Sequence, residues 1–210
     1  MPLVKTIPVS DGLIGVWQLT EKLTDLLPDF TPEELADEDF QQYTYEKRKT
    51  EWLATRKLIK ELIGSGFKIT YLQTGKPILR HFKYKYLSIS HSRDFVVVFL
   101  HENLNTGIDI ESVTRNYNPV EKKYLSDDEL IQVNHDPLLQ CLYWCAKEAV
   151  FKFVQEDGVE FKKQIRIAPF KPSLEGEFTV RFISGEKETS HQLYYQIFAG
   201  HGLVWVSGII

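Results

Sequence analysis

Cysteine is scarce in this 210-residue sequence: only Cys141 and Cys145 occur. One helical turn apart in a helix-like segment, they read as packing residues, not as a disulfide framework or a zinc site, which fits a reducing compartment. No stretch reaches the run of about 18 apolar residues that a membrane helix needs. Met1 to Asp11 also lack the basic-then-apolar pattern of a secretory signal. The expectation is a soluble, unsecreted, cytoplasmic protein with no membrane partner. An excess of positive charge is missing too. The formal net charge of −4 argues against bulk attraction to nucleic acid, so any polyanion must be held by a local cluster. With 43% hydrophobic and 26% charged residues, the chain is too apolar to be disordered and long enough for one sizeable core or two small lobes.

Charge is unevenly spread. Acid collects between Asp29 and Asp39 (Glu33, Glu34, Asp37, Glu38), and base from Lys47 to Lys60 (Arg48, Lys49, Arg56, Lys57) and from Lys76 to Lys85. The basic part suits a small anionic ligand, although solvated helix and loop faces carry the same pattern.

A helix is predicted from about Glu46 to Leu62, where Trp52, Leu53, Leu58, Ile59, Leu62 and Ile63 recur at three- and four-residue spacings before Gly64 stops it. Strand-like runs follow at Phe67 to Leu72, Tyr86 to Ser90, Phe95 to His101 and Thr106 to Ile110, broken by Thr74-Gly75-Lys76-Pro77 and by Asn103 to Asn105. The second half repeats the scheme. Asn118-Pro119 and the capping box Ser126-Asp127-Asp128-Glu129 open short helical pieces before a longer helix from about Pro137 to Gln155. Strands are then predicted at Gln164 to Ala168, Glu177 to Ile183, Gln192 to Ala199 and Leu203 to Ile210. Each half reads as one long helix and about three strands. The expected architecture is α+β: two similar lobes, residues 1–104 and 105–210, each a long helix packed on a small, mainly antiparallel sheet, with the ligand groove between them.

Three motifs can carry chemistry. In Gly107-Ile108-Asp109-Ile110-Glu111 the period of two on a strand puts Asp109 and Glu111 on one face and the isoleucines on the other. Neighbouring carboxylates resist ionising together unless a cation compensates. Magnesium suits such a pair, taking one or two carboxylates and filling its octahedron with water and phosphate oxygens. Solvation or a salt bridge is the alternative. In Trp144-Cys145-Ala146-Lys147-Glu148-Ala149-Val150-Phe151-Lys152, Trp144, Glu148 and Lys152 share a helix stripe. Glu148 and Lys152 read either as an i,i+4 salt bridge or as a third metal carboxylate, or proton acceptor, beside a phosphate-neutralising lysine. The third is Leu87-Ser88-Ile89-Ser90-His91-Ser92, a strand ending in hydroxyls and an imidazole. Together with the Gly75-Lys76-Pro77 turn it can hold a phosphate. No G-x-S-x-G turn or third triad member accompanies it, which excludes a serine hydrolase.

In this order the Gly75-Lys76-Pro77 turn, the Ser90-His91-Ser92 strand end, the G-x-D-x-E motif and the W-x-x-K-E-A-x-x-x-K motif resemble the 4'-phosphopantetheinyl transferase superfamily, in its longer, Sfp-like branch. The resemblance spans roughly Lys47 to Lys152. It implies a pseudo-symmetric two-lobed monomer with coenzyme A as co-substrate in the cleft, its nucleotide side on the first lobe and the metal, catalytic helix and carrier on the second. A serine hydroxyl of an apo acyl carrier protein, or of a peptidyl or polyketide carrier domain, attacks the β-phosphate, giving the holo carrier and 3',5'-ADP. By position, Asp109, Glu111 and Glu148 would ligate magnesium, or manganese in its place, and Glu148 would be the base. Lys152 would meet the pyrophosphate, while Gly75, Lys76, Pro77, Ser90 and His91 would hold the 3'-phosphoadenosine end. Arg48, in preference to Lys47, would join them. Lysines usual ahead of the first helix in that family are replaced here by the acidic Glu33 to Asp39 stretch.

Two other classes share parts of this pattern: a non-catalytic module that binds coenzyme A or a carrier, and a magnesium nuclease. The intact acids and Lys152 count against the first, and the overall acidity against the second. The acidic surfaces usual in carriers predict an exposed patch beside the cleft, using Lys122, Lys123 and Tyr124. Whether the carrier serves fatty-acid, polyketide or peptide synthesis stays open.

Overall fold

The computed structural model describes residues 2–72 and 75–209. Thr74 of the expected turn and Ile210 of the last expected strand lie outside the described residues. The chain opens with a hairpin of β1 (Leu3–Val9) and β2 (Gly12–Gln18), closed by a turn in which Asp11 adopts φ 54°. Short helices α1 (Leu23–Leu26), α2 (Pro32–Leu35) and α3 (Glu38–Gln41) lead to the long α4 (Glu46–Ile63). Then come β3 (Lys68–Tyr71), β4 (Pro77–Arg80), β5 (Tyr86–His91) and β6 (Phe95–His101), which join the hairpin in one antiparallel sheet of order β1-β2-β6-β5-β4-β3.

The second sheet starts at β7 (Asn105–Ser112). After α5 (Glu121–Tyr124), α6 (Asp127–Val133), the long α7 (Pro137–Val154) and α8 (Phe161–Gln164), it is completed by β8 (Ile165–Ile167), β9 (Glu175–Ser184), β10 (Lys187–Phe198) and β11 (His201–Gly208). Its order is β7-β11-β10-β9-β8. The protein is thus α+β, with two antiparallel sheets and an 18-residue helix on each.

Both long helices begin and end where local chemistry dictates. At α7, Pro137 occupies the first turn and Asp136 accepts the Leu138 and Leu139 amides, satisfying donors that no earlier helical carbonyl can reach. At α6 the Ser126 and Glu129 side chains cap each other's amides. Glycine 64, with φ 78°, ends α4, a conformation that costs glycine little.

The layers follow from the two faces of each sheet. Leu53, Leu58 and Ile59 of α4 pack on Leu87, Val96, Val98 and Leu100. On the opposite face Val97, Phe99, Ile14 and Val16 meet Ile108, Ile110, Leu203 and Trp205 of the second sheet. That sheet's outer face, with Val204 and Val206, receives α7 through Leu142, Cys145, Ala149 and Phe153. Cys141 and Cys145 are both buried and free.

The strand count corrects the expectation of about three per half: the sheets have six and five strands. The N-terminal hairpin was not anticipated, although β1 alternates regularly between partly buried and exposed residues. Pro77 read as part of a turn but begins β4, pairing with Tyr71. Tyr124, expected on an exposed patch, is 1% exposed and donates its hydroxyl to the Gln140 carbonyl.

Candidate active site

The site is assembled where α7 crosses β7. Gly107 permits the crossing, since a Cβ there would lie 1.9 Å from the Ala149 carbonyl oxygen. The close approach sets the Glu148–Lys152 turn of the helix over the acidic face of β7. Lys152 Nζ donates to Asp109 Oδ1 at 2.7 Å and to the Ile108 carbonyl at 3.0 Å. Ser90 Oγ, from β5, donates to the same Asp109 oxygen at 2.6 Å. Asp109 is 5% exposed, and its Oδ2 is buried with no hydrogen-bond partner.

The other two carboxylates feel this environment. Burial, then the charge of Asp109, pushes the Glu148 carboxyl up to about 7, against the pull of Lys152. Glu111 is raised for the same two reasons and lowered by Arg115, its ion-pair partner. Desolvation and like charge together disfavour the ionised forms. Among the described residues, no three acidic, histidine or cysteine side chains stand close enough to hold an ion. Lys152 and Arg115 are the counter-ions of Asp109 and Glu111 instead. Asp109, Glu111 and Glu148 nevertheless offer the carboxylate oxygens that a hard divalent cation takes, and one of these oxygens, Asp109 Oδ2, is buried and unpartnered.

Beside this acid patch lies a cleft of about 320 Å³ between the lobes, lined among others by Gly75, Lys76, Pro77, His91 and Lys152. Lys76 Nζ reaches Asn105 Oδ1 at 3.4 Å, and Gln155 Nε2 reaches the same oxygen at 2.5 Å. Burial pulls Lys76 down to about 8. His91 Nε2 lies 3.0 Å from Thr55 Oγ1. That hydroxyl gives its proton to the Glu51 carbonyl, so the imidazole is the donor in this pair. Burial, and after it Lys152, Arg48 and Lys47, pull the imidazole well below its ordinary range, leaving it neutral at pH 7.

The residues singled out in the sequence fall in three places. Gly75, Lys76, Pro77, His91 and Lys152 line the cleft. Arg48 lines a smaller annex of about 60 Å³ beside it and is bonded to Glu51 at 2.9 Å. Ser90 stands behind Asp109 instead of in the cleft wall. Ser88, of the segment expected to hold a phosphate, also lines the cleft, while sequence reasoning missed Tyr43, Tyr71, Phe151 and Gln155 there. A signal existed for Phe151, which lies three positions after Glu148 on the same helical face.

Residues 105–204, which contain the acid patch and the whole of α7, match the model of the 4'-phosphopantetheinyl transferase superfamily. Over that stretch the chain is similar to that superfamily. The match supports a transferase of the phosphopantetheinyl type, and the two antiparallel sheets with their helices are consistent with the two-lobed α+β fold of such an enzyme. A comparison of the chain with curated proteins gives no match. Among the described residues, no helix is long and apolar enough to cross a membrane.

Proposed function

We propose that the protein transfers 4'-phosphopantetheine from coenzyme A to a serine of an apo acyl, peptidyl or polyketide carrier, as a cytoplasmic monomer of the longer, two-lobed branch. Lobes 1–104 and 105–210 supply the nucleotide and the metal–carrier sides. One observation carries this reading: Lys152 lines the interlobe cleft and at the same time bonds Asp109, so the ligand space and the acid patch meet at one ammonium group.

The cleft holds the nucleotide end against Gly75, Lys76, Pro77 and His91, with Arg48 at the annex. Lys152 faces the pyrophosphate and neutralises charge on the departing 3',5'-ADP. Asp109, Glu111 and Glu148 would hold a magnesium ion, which when bound neutralises pyrophosphate charge. Glu148, with its carboxyl raised to about 7, is matched to a proton transfer near neutral pH. It takes the proton of the carrier serine as the serine oxygen bonds to the β-phosphorus and the bond to the 3',5'-ADP oxygen breaks. Ser90 fixes the Asp109 carboxylate through its hydroxyl. Lys122 and Lys123, both exposed on α5, face an acidic carrier.

The test is chromatographic. Carrier-dependent release of 3',5'-ADP from coenzyme A is expected. Binding of coenzyme A without release, in the presence of apo carrier and magnesium, would instead identify a non-catalytic module.

A further inference from the structure

Asn105 opens β7, directly after the linker that leaves β6, and its side-chain oxygen takes one donor from each lobe. Lys76 Nζ, from the turn before β4, reaches Oδ1 at 3.4 Å, and Gln155 Nε2, from the end of α7, reaches it at 2.5 Å. An ammonium can only donate, so Asn105 turns its oxygen and not its amide nitrogen towards the lysine. Gln155 donates to the same oxygen and holds the Asn105 amide in that orientation. Flipped, the amide would set an NH2 group against the ammonium.

The neutrality of this acceptor decides what Lys76 can do. Burial lowers the ammonium to about 8, and no carboxylate offsets that effect. A carboxylate in the place of Asn105 would pair with the lysine and cancel the charge that an anionic ligand needs. The amide oxygen fixes the ammonium and leaves its charge uncommitted. Gln155 makes its contact from a strained backbone: it caps the C-terminus of α7 at φ 59°, in the left-handed region that glycine occupies more cheaply. Glycine is what ends α4 at the same position, Gly64. Position 155 therefore contributes its side chain and not only a helix stop.

We propose that Asn105 and Gln155 are positioning residues, which together hold the Lys76 ammonium, with its charge free, at the cleft wall where the co-substrate binds. The proposal rests on the coenzyme A reading of the cleft. It goes beyond that reading in making the linker and the second lobe set a cation of the first lobe, so that the nucleotide side is completed from across the junction.

The experiment compares the wild type with Asn105→Ala, Gln155→Gly and Asn105→Asp by calorimetric binding of coenzyme A from pH 6.5 to 9.5, by steady-state transfer and by thermal melting. The other titratable groups of the cleft, His91, Lys152, Glu156, Asp157, Tyr43 and Tyr71, are the same in every variant. Asn105→Ala and Gln155→Gly raise Kd and KM for coenzyme A about three- to tenfold, the net worth of one hydrogen bond, with kcat within about twofold. Gln155→Gly melts within a few degrees of the wild type, because relief of the left-handed backbone offsets the lost bond, and it decides the matter if an Asn105 variant does not fold. Asn105→Asp gives the readout that a merely structural role would not move. Its carboxylate favours the charged lysine, so the pH above which binding weakens, near 8 in the wild type, moves up, while binding at pH 7 weakens because the charge is now paired. Unchanged affinity in both Asn105→Ala and Gln155→Gly, with or without a lower melting point, overturns the proposal and leaves transfer standing, as does an alkaline limb that stays in place in Asn105→Asp. A wild type that binds coenzyme A and modifies no carrier removes the transfer reading and leaves the positioning to be read from binding. A wild type that does not bind coenzyme A overturns both.

Discussion

Lys152 and Asp109 are joined across the junction of α7 and β7, Nζ to Oδ1 at 2.7 Å, with Asp109 7% and Lys152 26% exposed at the side chain. The pair is the point at which the second lobe's acid patch touches the interlobe cleft. Replacing the lysine by glutamine removes a cation from the departing pyrophosphate and leaves Asp109 with Ser90 alone. Transfer is expected to fall by about a hundredfold or more, mostly in kcat, with the thermal midpoint changed by only a few degrees. Steady-state kinetics alongside a melting curve checks both.

Glu148→Gln removes the proposed base and keeps the side chain's shape. The loss expected is at least about a hundredfold. Because burial and Asp109 already raise this carboxyl to about 7, neutralising it should not destabilise the fold. A glutamine variant that unfolds, or one that retains near wild-type turnover, contradicts the assignment.

How much of this was legible in the sequence differs by element. The two long helices declared themselves through Gly64, Asp136-Pro137 and their apolar spacing, and Asp109 and Glu111 through strict alternation with two isoleucines. The hairpin at Leu3–Gln18 did not. The buried run of β2, read alone, has no helix or strand period, and only the pairing of its neighbours β1 and β6 makes it a strand. Ser90 was read as a ligand contact because hydroxyls beside a histidine suit phosphate. Its bond to Asp109 comes from packing between β5 and β7, a long-range relationship that no local pattern encodes.

A different consequence follows from Lys147, which neighbours Glu148 in sequence but has other partners. It is 0% exposed and donates to Glu129 at 2.7 Å and to the Phe161 and Ile165 carbonyls at 3.1 and 2.7 Å. Glu129 in turn accepts the Ser126 and Ile167 amides at 2.8 and 3.0 Å, so the pair ties α6, α7 and β8 together. Lys147→Met leaves a buried carboxylate without its cation, and denaturant unfolding should show a loss of about 3–5 kcal/mol. The double variant with Glu129→Gln should recover part of it.

His91 gives the protein a pH dependence of known sign. Its folded imidazole is held below its ordinary value, so between those values the unfolded chain binds the extra proton. The contribution to stability is whole above about pH 6.5 and is lost as pH falls, by at most about 1.4 kcal/mol per pH unit. His91→Asn removes this slope. Unfolding free energies at pH 7 and pH 5 should differ less in the variant than in the wild type.

Reversing Lys122 and Lys123 together to glutamate tests the face offered to the carrier. Both are exposed, so the fold should be unaffected. The apparent KM for an acidic carrier should rise more than that for coenzyme A, and more steeply at low salt. An unchanged KM for carrier places the docking face elsewhere.

The central claim is tested most directly by intact-mass spectrometry of a purified apo acyl carrier protein incubated with this protein, coenzyme A and magnesium, with a parallel sample in chelator. The account predicts a gain of one phosphopantetheine on the carrier serine in the first sample and none in the second. An unmodified carrier in both, across acyl, peptidyl and polyketide carriers, would contradict it.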